Sequence, residues 1–253
     1  VRMTAFKHEL AQGKPLLGLW QALANSYTAD ICARAGYDWL LFDGEHSPNT
    51  AQTLLAQLQA VTPYPLEPIA RVPSGDPVAI KQYLDLGFTT LLVPMVDTAE
   101  QARAAVAACR YPPHGIRGVA SATARATSFG LDRAYLREAA DRVTLIVQIE
   151  SRTALGNVAE IAAVEGVDAL FIGPADLAAS LGHLGDPGHA EVQAAILQAK
   201  SAIDAAGKPA GFFALSPDDA KLRISQGFAF LAIGTDIGLL LSGARNLITS
   251  IRP

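Results

Sequence analysis

Two acids, Glu150 in the stretch VQIES and Asp176 in GPADL, close apolar runs, a setting that could let them share one divalent cation. Two like charges held close in a cleft are costly unless a proton or a cation neutralises them. A hard ion held through two carboxylates, with waters and substrate oxygens completing an octahedron, is the ordinary Mg²⁺ or Mn²⁺ arrangement. Too few histidines or cysteines stand near the pair for a typical zinc set. His46, in DGEH, is the one histidine of five expected at a strand end, where an imidazole can act as a general base near neutral pH. Arg71, planar and always charged, suits a carboxylate or a developing enolate. The six lysines are Lys7, Lys14, Lys81, Lys200, Lys208 and Lys221, and none is expected at the C-terminal end of a barrel strand. A Schiff-base mechanism needs a desolvated lysine in the site, so carbonyl chemistry at this rim would fall to a metal.

Plainer roles stand beside these. Asp176 could cap the next helical turn, and Glu150 could pair with Arg152. His46 could be bonded to loop backbone, and Arg71 could sit in a structural ion pair with Asp43 or Glu45 across the neighbouring strand.

The elements that must position these groups are legible as alternation. Strands are expected at Leu16–Trp20, Trp39–Asp43, Pro68–Val72, Thr90–Met95, Thr144–Glu150, Ala169–Gly173, Ala210–Ala214 and Phe230–Gly234. Between them lie segments with apolar spacing of three and four, such as Ala51–Val61, Ala79–Leu86, Ala99–Cys109 and Val192–Ala206. Gly36, Gly87, Gly166, Gly207 and Gly227 each follow a helical run and precede a strand. The strands are nearly continuous apolar runs, as expected where both faces of a parallel sheet are covered. Eight such units in 253 residues point to a single (β/α)8 TIM barrel over 1–253, with an open doubly wound sheet as the other choice. Active sites of that fold form at the C-terminal ends of the strands, and Asp43, Arg71, Gln148, Glu150 and Asp176 converge there. The segment from Tyr111 to Leu131, carrying Arg117 and Arg125, breaks the rhythm and is a candidate functional loop.

Composition narrows the class. Half of the chain is hydrophobic and 17% is charged, which fills a large core and excludes disorder. The net charge of -4 with no basic stripe argues against nucleic acid. Val1 to Gly13 has no apolar core of a signal peptide, and Ile237–Ile251 is too short to span a membrane. No CxxC pair joins Cys32 and Cys109, so a cytoplasmic setting is expected. Neither G-x-G-x-x-G nor a Walker A sequence is present.

The stretches WLLFDGEHSPN, TTLLVPMV, YPPHGIRGV, VQIES and DALFIGPADL, in order from about Leu17 to Leu240, resemble the HpcH/HpaI family of hydroxy-oxo-acid aldolases. The resemblance implies reversible retro-aldol cleavage of 4-hydroxy-2-oxo acids to pyruvate and an aldehyde, a chemistry of aromatic-compound catabolism. It assigns the divalent cation, Mg²⁺, Mn²⁺ or Co²⁺, to Glu150 and Asp176. It places the substrate against Gln148, Gly173, Pro174, Ala175 and Asp176, with Phe212 facing the aldehyde portion. His46 matches the base, Asp85 the acid that raises its basicity, and Arg71 the group that stabilises the enolate, with Asp43 counted among the catalytic residues. It further implies a homo-oligomer, a hexamer built as a trimer of dimers. Asp85 would reach a neighbour's site, and the C-terminal helix would be exchanged between subunits. Sibling activities stay open: cleavage of a 2-keto-3-deoxy sugar acid, oxaloacetate decarboxylation and, ranked lower, thioester cleavage on CoA substrates. A non-catalytic carboxylate-binding barrel is the alternative outside enzymes.

Overall fold

The computed structural model describes residues 5–252, so Arg2 and its immediate neighbours lie outside the described residues. Eight parallel strands close into a barrel in sequence order, a (β/α)8 TIM barrel. They are β1 (Leu16–Gln21), β2 (Trp39–Asp43), β3 (Glu67–Arg71), β4 (Thr90–Val93), β5 (Thr144–Ile149), β6 (Ala169–Ile172), β7 (Ala210–Phe213) and β8 (Phe230–Thr235). The helices begin with α1 (Ala5–Ala11), α2 (Ser26–Ala33), α3 (Ala51–Val61), α4 (Pro77–Leu86) and α5 (Ala99–Cys109). They continue with α6 (Tyr135–Glu138), α7 (Arg152–Ala162), α8 (Pro174–Ser180), α9 (Ala190–Ala205), α10 (Pro217–Ser225) and α11 (Asp236–Ile251).

Local chemistry sets the boundaries. Thr50 and Thr98 close capping boxes on α3 and α5, and Asp76 caps α4 with a proline in its first turn. All five glycines expected to end helices have φ between +69° and +103°, the left-handed region that suits glycine. β4 stops at Val93, earlier than expected, because Met95 itself turns to φ 53°.

Strand alternation sorts the side chains into two cores. One is the barrel interior, with Leu16, Trp20, Trp39, Leu41, Ile69, Leu92, Ile146, Phe171, Phe230 and Ala232. Phe6 and Leu10 of α1 plug its lower end, Phe6 meeting Phe230 edge to face at 5.9 Å. The other core lies between strands and helices and holds Leu40, Phe42, Leu91, Val147, Ile172 and Phe212. Counting on by two from the interior residues carries Leu41 to Asp43, Ile69 to Arg71, Ile146 to Gln148 and Glu150, and Phe171 to Gly173. All of these aim into the C-terminal mouth. One parity therefore assembles the polar cluster from four strands.

The last helix is the exception to tight packing. Along α11, Ile237, Leu239, Leu240, Leu241, Leu247, Ile248 and Ile251 are all exposed. Among the described residues, no helix is long and apolar enough to cross a membrane.

Candidate active site

The mouth is organised around Arg71. Its Nε and Nη2 donate to the two oxygens of Asp43 at 2.9 and 2.7 Å, a bidentate fork, while Nη1 meets Glu45 Oε2 at 2.8 Å. The guanidinium lies 5.0 Å from the centroid of the Trp20 ring. Trp20 packs in turn against Phe213 and Phe171. The arginine is thus held from three sides and is only 6% exposed. The ion pair with both Asp43 and Glu45, offered by the sequence as a plainer role, is present; it also orients the guanidinium.

Across the mouth, Glu150 is buried at 2% exposure. The Met95 N–H donates to its Oε1 at 2.8 Å, and the Gln148 amide donates to its Oε2. Met95 holds its left-handed conformation where its N–H makes that bond. Glu150 does not pair with Arg152, whose Nη2 instead donates to the Leu181 carbonyl. Asp176 sits in the first turn of α8, whose N-cap is Gly173 with no side-chain cap, so Asp176 is not the capping group. Its side chain is open to solvent.

The electrostatics differ between the acids. Burial alone would raise Asp43; the hydrogen bonds and charge of Arg71, with the N–H groups of Glu45 and His46, outweigh it and hold the carboxyl below its ordinary range. Glu45 is raised by burial, opposed by Arg71 and His46 and reinforced by Asp43 and Asp176. Glu150 is pushed up to about 7, chiefly by burial, against the Met95 N–H and helped by the negative charges of Asp176 and Glu45. Four carboxylates thus face one arginine, leaving unbalanced negative charge on the Glu150 side.

Three observations fit a divalent cation there. Glu150 is a buried acid whose proton affinity is raised by burial and by the charges of Asp176 and Glu45, a cost that a bound cation would relieve. Gln148 Oε1 is a buried acceptor with no protein partner. Gly173 leaves a cradle, since a Cβ at this position would come within 2.5 Å of Glu150 Oε2 and 2.8 Å of Gln148 Nε2. The donors are all oxygens, as a hard ion prefers. Pro174, Ala175 and Asp176 continue that rim, Pro174 buried and Ala175 exposed.

His46 stands on the same rim with its side chain 67% exposed, its Nε2 4.0 Å from Glu45 Oε2. Its backbone N–H, not its ring, bonds to Asp43 Oδ1. Two expected residues are not brought to the mouth of their own chain. Phe212 is fully buried on the outer face of β7, against Phe228 and beneath the Arg223 guanidinium at 4.5 Å. Side chains alternate along a strand, so it is Phe213 that turns inwards, onto Trp20 at 5.4 Å. Asp85 lies in the last turn of α4, towards the lower end of the barrel, paired with Arg117 at 2.7 Å. The long loop points the same way: Arg125 donates to the Leu86 carbonyl. Its two arginines therefore brace α4 and do not face the mouth.

Sequence reading missed Trp20, Phe213 and the Met95 N–H as parts of the site. The first two were findable by parity, since each lies an even number of residues from an interior position on its strand. The Met95 contact depends on a left-handed backbone turn that no residue pattern announces.

The family described as HpcH/HpaI aldolase/citrate lyase matches residues 16–243. The chain is 56% identical over 247 residues to a Deinococcus radiodurans protein described as a hydroxypyruvate/pyruvate aldolase, covering 98% of this chain and 89% of that one. It is 53% identical over 243 residues to a 4-hydroxy-2-oxo-heptane-1,7-dioate aldolase of Salmonella paratyphi C, covering 96% and 92%. The structure of a protein of the same family from Burkholderia cenocepacia superposes with a TM-score of 0.96 at 40% identity, covering 99% of this chain and 100% of that one.

Proposed function

The chain belongs to the HpcH/HpaI aldolase/citrate lyase family, and from that premise we propose that it is a metal-dependent pyruvate aldolase. It cleaves 4-hydroxy-2-oxo acids to pyruvate and an aldehyde and catalyses the reverse addition. The observation that carries this reading is the inward convergence of Asp43, Arg71, Gln148 and Glu150 at a mouth where no lysine ends a strand.

Glu150 and Asp176 would hold the cation, with Gln148 Oε1 as a further oxygen donor, and the chemistry an ion there would supply is Lewis-acid stabilisation of the charge developing on the substrate's 2-oxo oxygen. The chain's own groups do the rest. Arg71, held by Asp43 and Glu45, keeps one further N–H on each of Nη1 and Nη2 and offers a second cation to the enolate oxygen. His46 accepts the 4-hydroxyl proton as the C3–C4 bond breaks, and the pair of electrons moves towards C2 and its oxygen. Its exposure leaves the ring free to reach substrate. The enolate carbon then takes a proton to give pyruvate. Trp20 and Phe213 form an apolar wall beside this centre, suited to the aldehyde portion.

The 56% relative's description supports hydroxypyruvate as an alternative donor on the same machinery. The reading of a homo-oligomer is supported by α11, whose apolar side chains its own barrel leaves uncovered; exchange of this helix with a second copy would cover them. In a trimer of dimers, Asp85 would meet a neighbour's His46. Light scattering on the purified chain checks the assembly: a monomer in solution rejects it.

The decisive measurement is pyruvate release from 4-hydroxy-2-oxo acids with EDTA and after adding Mg²⁺, Mn²⁺ or Co²⁺. Loss with chelator and recovery with metal are expected. Metal-independent turnover, or none with any aldehyde in the reverse direction, rejects the reading.

A further inference from the structure

A second group of metal-ligating side chains lies outside the mouth, on the segment that joins α8 to α9. His183 and His189 stack ring on ring, with centroids 3.5 Å apart and planes 16° from parallel. His183 Nε2 lies 2.8 Å from Glu191 Oε2. One ligand atom from each of the three residues falls within 4.8 Å of the others, the one such group of three among the described residues. We propose that His183, His189 and Glu191 form a second metal site, taking a borderline divalent ion of the zinc class.

The donor set decides the class of ion. Two imidazoles and one carboxylate, with an open position for water, suit Zn²⁺ or Co²⁺, whereas Mg²⁺ requires oxygen. Glu150, Asp176 and Gln148 offer only oxygens, so the two sites sort metals by softness. Zinc–nitrogen bonds of about 2.0–2.1 Å put tetrahedral ligand atoms roughly 3.4 Å apart. The three atoms lie within 4.8 Å of one another, so closing on an ion asks the stacked rings to turn towards it and the His183 Nε2 proton, now held by Glu191, to leave.

The backbone is already committed. His183 N–H bonds to the Ala178 carbonyl at 2.8 Å, Asp186 N–H to the His183 carbonyl at 2.9 Å, and His189 N–H to the Asp186 carbonyl at 3.2 Å. Gln193 adds a bond to the Pro187 carbonyl. Both imidazoles thus hang from a bonded loop, which lowers the ordering cost of binding. His189 would give up its contact with the Glu191 N–H, at 3.2 Å a weak cap, when its lone pair turns to the ion. The cation would sit near the positive end of α9, and the Glu191 carboxylate in that first turn offsets the repulsion. Arg152 approaches the other oxygen of Glu191, at 3.8 Å, and leaves Oε2 to the imidazole side. Because His183 is tied to α8, the ion joins α8 to α9 and steadies from behind the short helix that carries Asp176.

Cobalt tests this on the full chain, independently of any aldolase activity. Four-coordinate Co²⁺ with nitrogen ligands absorbs far more strongly in the visible than octahedral Co²⁺ among oxygens. Titration in excess Mg²⁺ should give an intense band that saturates at one equivalent and is bleached by Zn²⁺. The band should survive Glu150→Gln. It should weaken at least tenfold in affinity in His183→Gln and in His189→Asn, where asparagine keeps a capping acceptor for α9. No intense band in the wild type, an unchanged band in His189→Asn, or its loss in Glu150→Gln would overturn the proposal.

Discussion

Two arginines are buried at opposite ends of this barrel, and their surroundings look alike at first. Arg71 lies 5.0 Å from Trp20 and pairs with Asp43; Arg117 lies 4.6 Å from Tyr111 and pairs with Asp85. The difference is in the charge around them. Arg117 has one carboxylate and two tyrosine rings, and its charge is balanced where it stands. Arg71 has Asp43 and Glu45 in contact, and Glu150 and Asp176 within electrostatic reach of the same cluster. Around Arg117 the charge is matched one for one, while the mouth carries more acids than its arginine balances. A buried ion pair is weak grounds for function, but an unbalanced cluster in a mouth is a stronger pointer.

The sharpest way to break this comparison is Arg71→Ala. Removing the guanidinium deletes the cation proposed for the enolate and takes from Asp43 and Glu45 their shared ion-pair partner. The kcat/KM for pyruvate release should fall by about 10³-fold or more. Arg71→Lys should recover little of it, because a point charge cannot replace the fork. Near-wild-type turnover in the alanine variant would make Arg71 structural, like its counterpart below.

Arg117→Met should act on stability. Breaking a buried pair on one side costs about 3–5 kcal/mol, and here Asp85 can still reach some water, so the lower figure applies. That corresponds to a fall in Tm of roughly 6–12 °C for a chain of this size. A melting curve that superposes on the wild type would show that the loop does not brace α4.

How much of this contrast the sequence carries follows from what each arginine depends on. Arg71 closes an apolar strand, so its place at the mouth follows from alternation and from the rule that barrel sites gather at strand ends. Arg117 lies in a Gly- and Pro-rich stretch without periodicity, and its partner is 32 residues away in sequence. Nothing local shows that a charged residue of this loop turns inwards. Phe212 shows the other failure. The strand was placed correctly, but naming the end of a strand does not choose between two adjacent residues with opposite facings. His46 and Glu150 were legible by type and place, whereas the elevated proton affinity of Glu150 needed the burial and the neighbouring acids to be seen together.

The excess charge can be titrated directly in metal-free protein. Burial and the neighbouring acids raise Glu150 in the folded chain from its ordinary value of 4.5 to about 7. Its contribution to stability is therefore full below about pH 4.5 and is lost as the pH rises through 7. Glu150→Gln removes that dependence. With EDTA present, the variant should be more stable than wild type at pH 8, by at most about 3 kcal/mol, and the gap should close towards pH 5. Denaturant midpoints across that range check the sign, and a variant less stable at pH 8 would remove the strained acid from the account. Added Mg²⁺ should reverse the order, since only the carboxylate gains from the cation.

The smallest effect concerns the two phenylalanines that end β7. Phe213, half-buried beside Trp20, lines the apolar wall next to Arg71, so Phe213→Leu should enlarge the space available to an aldehyde. Pocket changes of a few methylenes shift discrimination by about 1–3 kcal/mol, and the lower end suits a position open on one side. The ratio of kcat/KM for a bulky over a small aldehyde should rise by roughly fivefold to tenfold. Phe212→Leu is the matched control, the same chemical change one residue earlier and on the opposite face. It disturbs the layer beneath Arg223 and Phe228, so it should lower Tm and leave the aldehyde ratio where it was. If Phe212→Leu moved the ratio and Phe213→Leu did not, the inward parity on which the whole mouth is built would be wrong for this strand.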